Sequence, residues 1–156
     1  MNALATRIAA ERVVAAPPRA VFSFLADLEN HWLLTDRFVE VLTLERPADG
    51  GPAHGGTVRM RGPFGLGRTA RTRVVEMYPD TSVAGVASVG NGTAALVSWT
   101  LAPQRGGTRV RLEATVNRLG RLESLLLAAG GRRWLAQRFG SILETLAQRV
   151  ALQPEA

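Results

Sequence analysis

The stretch PADGGPAHGGTVRM, residues 47–60, decides how the chain is read. A glycine-rich run cradles phosphate when its backbone amides converge at a helix N-terminus, usually with Lys and Ser or Thr after the last glycine. Here Gly55-Gly56 lead into TVRMRG, an alternating strand pattern, and all nineteen basic residues are arginine, so there is no lysine to follow them. The loop therefore reads as a hairpin connection in which glycine supplies positive φ. A nucleotide-binding reading is set aside, although the loop can still rim a cavity.

Outward from this loop, residues 37–117 carry strand-like runs separated by turn signals, the spacing of an antiparallel meander. The runs are RFVEVLTLE (37–45), TVRMRG (57–62), GLGRTARTRVVEM (65–77), TSVAGVASV (81–89), TAALVSWTLA (93–102) and TRVRLEATV (108–116). Pro79-Asp80, Asn91-Gly92 and Gly106-Gly107 break them. In the last run Val110, Leu112, Ala114 and Val116 share one face, and Arg109, Arg111, Glu113 and Thr115 the other.

Helical signals flank this region. After a first strand at residues 7–15, with Ile8, Ala10, Arg12 and Val14 on one side, Pro17 and Pro18 suit the first turn of a helix reaching Ala26. Val21, Phe24, Leu25 and Leu28 make its buried stripe. Asp27 can cap a second short helix through His31, Trp32 and Leu33. At the other end, residues 121–129 form a short piece that Gly130-Gly131 break or kink. A long helix follows to about Ala151, with Leu135, Phe139, Ile142, Leu143, Leu146 and Val150 on one face.

The fold class is thus α+β: a curved antiparallel sheet of about seven strands wrapped around a long C-terminal helix, with two short helices after the first strand, as one domain over residues 1–156. One helix cannot fill such a sheet everywhere, so a cavity between them is expected. Arginines at 59, 61, 71 and 73 alternate with Val58, Met60, Thr72 and Val74, which puts the arginines on the wet convex face.

Composition narrows the function. The net charge of +6 suggests nucleic acid or an acidic membrane surface, yet no basic run with interleaved aromatics is present, which disfavours nucleic acid. With no cysteine and two histidines far apart, neither a disulfide nor a metal site is expected, nor any cofactor. No apolar run is long enough to span a bilayer and no signal peptide is read, so the expected location is cytoplasmic.

Three stretches resemble the START-like, helix-grip superfamily, in its polyketide cyclase/dehydrase and lipid transport (SRPBCC) branch. VVAAPPRAVFSFLADLENHW is similar to the family opening, VVEMYPD to a mid-sheet strand ending at proline, and WTLAPQRGGTRVRLEATV to the final hairpin before the long helix. The resemblance covers residues 7–151. It implies a helix-grip fold, with the second and third strands joined by a glycine-rich hairpin. It also implies a hydrophobic small-molecule partner, a lipid or polyketide-like compound, held by a carrier or sensor or else acted on by a cyclase or dehydratase. Fold alone does not choose between these.

The candidate ligand-binding residues are Trp32, Met60, Thr72, Val74, Trp99, Leu112, Trp134 and Arg138. The three tryptophans would wall a pocket for a ring system or acyl chain. Ala84, Gly85, Ala87, Ala94 and Ala95 would leave volume unfilled. Arg138 lies one step off the apolar line of its helix, placed to anchor an acidic group, with an internal salt bridge or simple exposure as the competing reading. Arg12 also flanks an apolar stripe and, if buried, would need a partner. His31 follows Asp27 by four residues, so a surface helix pair is the simpler reading and a cavity-facing general base the alternative. His54, in the glycine loop, is read as solvated. Ser23, Ser88, Ser98, Ser124 and Ser141 lack a nucleophile-elbow context, and no catalytic residue is assigned. Oligomeric state is not legible.

Overall fold

The computed structural model describes residues 6–35, 38–61, 67–90 and 92–151. Among the described residues there are seven strands: β1 (Thr6–Val14), β2 (Val39–Glu45), β3 (Gly55–Arg61), β4 (Gly67–Tyr78), β5 (Ser82–Val89), β6 (Thr93–Gln104) and β7 (Gly107–Arg118). The helices are α1 (Pro18–Leu25), α2 (Leu28–Trp32), α3 (Arg121–Leu126) and α4 (Arg132–Ala151). The strands form one antiparallel sheet in the order β1-β7-β6-β5-β4-β3-β2. The sequence-expected Asn91 turn residue, Arg37 at the start of the second run, and Gly62, Gly65 and Leu66 beside the third and fourth lie outside the described residues.

Each element forms for a local reason. Alternation in β7 buries Val110, Leu112, Ala114 and Val116 and turns the arginines to the other side. Pro18 opens α1, where its missing N–H costs nothing, and Val21, Phe24 and Leu25 bury one face. Asp27 caps α2 by accepting from the Glu29 amide at 3.0 Å. Between α3 and α4 the helix kinks at Ala129 and Gly130, where Gly130 takes φ +106.

The glycine loop is a connection between strands. Gly50 alone among its four glycines has positive φ, at +81, in a turn closed by its amide on the Pro47 carbonyl at 3.0 Å. Gly55 and Gly56 serve differently from the expectation. They start β3, and a Cβ on Gly56 would collide with the Thr43 carbonyl oxygen of β2. Ala53, fully buried, donates its amide to Asp27 Oδ1 at 3.2 Å, and its carbonyl accepts from Leu28 N at 3.0 Å, so the loop is fastened to the start of α2.

One continuous core joins β1, β5, β6, β7, α1 and α4. The C-terminal half of α4 buries Leu143, Leu146 and Val150, and the helix lies chiefly along β1. The N-terminal half of α4 stands away from β4 and β5. The sheet curves past it, and the space between is not filled.

Candidate functional site

That space is a cavity of about 250 Å³ with an almost wholly apolar wall. Leu135, Phe139 and Ile142 of α4 cover it, and inward residues of β3 to β7 make the opposite side. Its volume comes from small side chains in mid-sheet. Gly85, Ala87 and Ala95 line it where leucine or valine would close it. Gly85 is required by backbone approach as well. A Cβ there would meet the Arg73 carbonyl oxygen at 2.8 Å, beside the bulge at Val74 to Glu76.

Six sequence-chosen residues meet on this wall: Trp32, Met60, Thr72, Val74, Trp99 and Leu112. Trp134 and Arg138 do not. They stand behind a wall residue, Phe38, whose ring meets Trp134 edge-on at 5.9 Å. The Arg138 guanidinium carbon lies 5.3 Å from the Phe38 ring centre and 5.4 Å from that of Trp134. Among the described residues Arg138 has no carboxylate partner, and its guanidinium lies over two aromatic faces, so the competing salt-bridge reading finds no support there.

Other expectations need correcting. Ala84 and Ala94 are absent from the wall. They face the far side of the sheet, because inward positions on β5 and β6 are the odd-numbered ones, Val83, Gly85, Ala87 and then Ala95, Val97, Trp99. Arg12 is exposed on the edge strand and needs no buried partner. Arginines 59, 61, 71 and 73 are exposed, as read, and so is His54.

His31 departs most from the surface reading. It does not pair with Asp27. The Asp27 carboxylate instead accepts from Arg46 at 3.1 Å, and Arg46 also reaches Glu29 at 2.6 Å. Burial alone would raise the Asp27 pKa, but hydrogen bonds from the Glu29 amide, the Arg46 side chain and the Ala53 amide hold it below its ordinary value. His31 turns to the cavity wall, with its ring 5.4 Å from Trp99 and 6.5 Å from Trp32, both edge-on. Its Nε2 donates to the Leu25 carbonyl at 2.7 Å. A carbonyl only accepts, so the proton sits on Nε2 and Nδ1 keeps a lone pair, with no hydrogen-bond partner among the described residues. Burial pushes the His31 pKa down, against the opposing pull of the Leu25 hydrogen bond and the Asp27 charge, so the neutral ring is favoured.

Two more polar groups border the cavity. Trp32 Nε1 is buried and has no partner among the described residues. Thr35 is buried and spends its hydroxyl on the Trp32 carbonyl at 2.6 Å. The sequence reading missed Phe38, Phe139 and Ile142 as wall residues. For the two on α4 the apolar stripe was visible, but the stripe does not say which half meets the sheet.

Among the described residues there is no cluster of three or more His, Cys, Asp or Glu side chains able to hold a metal ion. No described helix is long and apolar enough to cross a membrane.

A curved antiparallel sheet gripping a C-terminal helix over an apolar cavity defines a helix-grip, START-like protein. The chain belongs to the polyketide cyclase/dehydrase and lipid transport family, whose model matches residues 5–151. Among solved structures it is similar to TTHA0849 from Thermus thermophilus, with 21% identity and a TM-score of 0.70 over 94% of this chain and 97% of that one. It is similar to CV1439 from Chromobacterium violaceum, with 19% identity and a TM-score of 0.67 over 95% and 99%. It is also similar to the di-domain ARO/CYC BexL from the BE-7585A biosynthetic pathway, with 18% identity and a TM-score of 0.68 over 97% of this chain and 52% of that one. At such identities the likeness is one of fold. No curated protein matches the chain.

Proposed function

We propose that the chain binds a compact hydrophobic molecule, polyketide-like or lipid-like, in the cavity between sheet and α4, as a carrier or sensor. The observation that carries this reading is the apolar cavity lined by His31 and Trp32, whose Nδ1 and Nε1 have no hydrogen-bond partner among the described residues. A cavity of about 250 Å³ exceeds the roughly 150 Å³ that holds benzene and falls just short of the roughly 300 Å³ at which drug-sized pockets begin. Its size favours a fused ring system or a short acyl chain over a long-chain lipid. Trp32, Met60, Thr72, Val74, Trp99 and Leu112 would touch the ligand, while Trp134 and Arg138 would act through Phe38. The neutral His31 favours a ligand hydroxyl over a carboxylate.

The second reading is a cyclase or dehydratase acting on such a compound. It is favoured by one observation, the placement of His31 on an apolar cavity wall with its Nε2 held on the Leu25 carbonyl, which leaves Nδ1 for proton transfer. Native mass spectrometry of the purified protein tests ligand binding. A co-purified apolar molecule returned unchanged supports the carrier, and one converted to product supports the enzyme. A protein that neither retains nor takes up any apolar compound refutes both.

A further inference from the structure

Residues 117–133 run from the end of β7 through α3 to the start of α4, and they do not behave like an ordinary solvated surface. Leu119 is 38% exposed, Leu122 38% and Leu125 66%, the last being the most exposed large apolar residue described. Ala128 and Ala129 follow them, also exposed. The same segment carries Arg118, Arg121, Arg132 and Arg133, all exposed, Arg132 also donating to the Arg7 carbonyl at 3.1 Å. The only carboxylate of the segment, Glu123, is turned inward onto Arg68 of β4. Four arginines against one acid put half of the chain's net charge of +6 into these 17 residues.

We propose that this α3 surface docks on an anionic lipid bilayer, with Leu119, Leu122 and Leu125 entering the headgroup boundary and the arginines meeting lipid phosphates. The pairing of apolar and cationic groups selects this occupant. A bilayer surface with acidic headgroups satisfies both, through buried apolar area and through attraction of each cation near the surface. A second copy of the chain would bring four arginines against four, which is repulsive. A nucleic acid would meet the arginines and leave the leucines unsatisfied. Beside the convex-sheet arginines the exposed apolar neighbours are Val86 and Leu96, across the strands from Arg73, both less exposed than Leu125.

The surface lies at one end of the cavity. Val116, on the cavity wall, is three residues before Leu119, and Ala95, also on the wall, pairs with it across β6 and β7. Docking there would bring that end of the cavity against the lipid. The inference goes beyond the ligand-binding reading and does not depend on it, since vesicle binding needs no filled cavity.

The test is co-sedimentation of the full chain with vesicles of phosphatidylcholine alone and of phosphatidylcholine mixed with phosphatidylglycerol. Binding is expected only with the anionic vesicles, and salt should weaken it. The pairs Leu122→Ser with Leu125→Ser, and Arg121→Glu with Arg133→Glu, should each reduce it about tenfold or more. The pair Arg59→Glu with Arg71→Glu makes the same charge change on the convex face and should leave binding within about twofold. All replaced side chains are exposed, and unchanged melting curves would show that the variants fold. Equal losses from the convex pair, no loss from the leucine pair, or no binding by the wild type would overturn the proposal. So would a wild-type dimer that the leucine pair dissociates, because the face would then belong to a second copy.

Discussion

His31 and Leu25 are joined by a hydrogen bond of 2.7 Å from the imidazole Nε2 to the backbone carbonyl at the end of α1. This one contact fixes the tautomer, turns the ring toward Trp99, and leaves Nδ1 as the only strong acceptor that a histidine in this cavity can offer.

The half-buried ring of His31 makes stability depend on pH. Burial holds the His31 pKa below its ordinary value of 6.5, so between the two values the unfolded chain binds a proton that the folded chain does not. Stability therefore rises with pH through that window and is lost as pH falls below about 6.5. Urea melts between neutral and mildly acidic pH should show this decline, and His31→Gln should flatten it. A wild-type profile as flat as the variant's would contradict the burial of the ring. Asp27 acts lower, where its depressed pKa makes stability fall as its carboxylate protonates.

Trp99 is 4% exposed, and it serves both the core and the cavity wall. Trp99→Ala should lower unfolding free energy by roughly 3–5 kcal/mol, measured by urea denaturation. A loss below about 1 kcal/mol would mean that the inward face of β6 is misassigned.

Arg138 stands over two aromatic rings and outside the cavity wall. Arg138→Met should cost about 1–2 kcal/mol by removing two cation–π contacts. It should change affinity for a short fatty acid and for its matched alcohol equally. A selective loss of the acid would give the guanidinium a direct anchoring role.

Gly107 has φ +153, and a Cβ there would strike the Val14 carbonyl oxygen at the end of β1. Gly106 has φ +86 and open space around it. Gly107→Ala should therefore destabilise by more than the ~1 kcal/mol expected for a strained but uncrowded Gly106→Ala. Thermal melts of the two variants compare them, and equal losses would remove the crowding argument.

Much of this was legible from local chemistry. The alternation of β7, the prolines opening α1 and the Asp27 cap all depend on neighbours in the chain, so periodicity and residue type were enough. Trp99 followed from strand parity. His31 was not legible, because a five-residue helix has no period from which to read a buried face, and its partner is the end of another helix. Ala84 and Ala94 fall on the far face because strand parity, and not small size, decides which residues of β5 and β6 turn inward. The surroundings of Arg138 were not legible, because they include Phe38, which precedes β2 and lies a hundred positions earlier in the chain.

The central claim is that the cavity receives a compact apolar ligand bearing a hydroxyl, and calorimetric titration with 2-naphthol tests it most directly. The wild type should bind one molecule per chain, with naphthalene binding more weakly. Ala87→Phe, which places a ring in the cavity beside Ala95 and Thr72, should abolish binding while the protein stays folded. Unsaturable uptake, or equal binding by wild type and Ala87→Phe, would contradict the account.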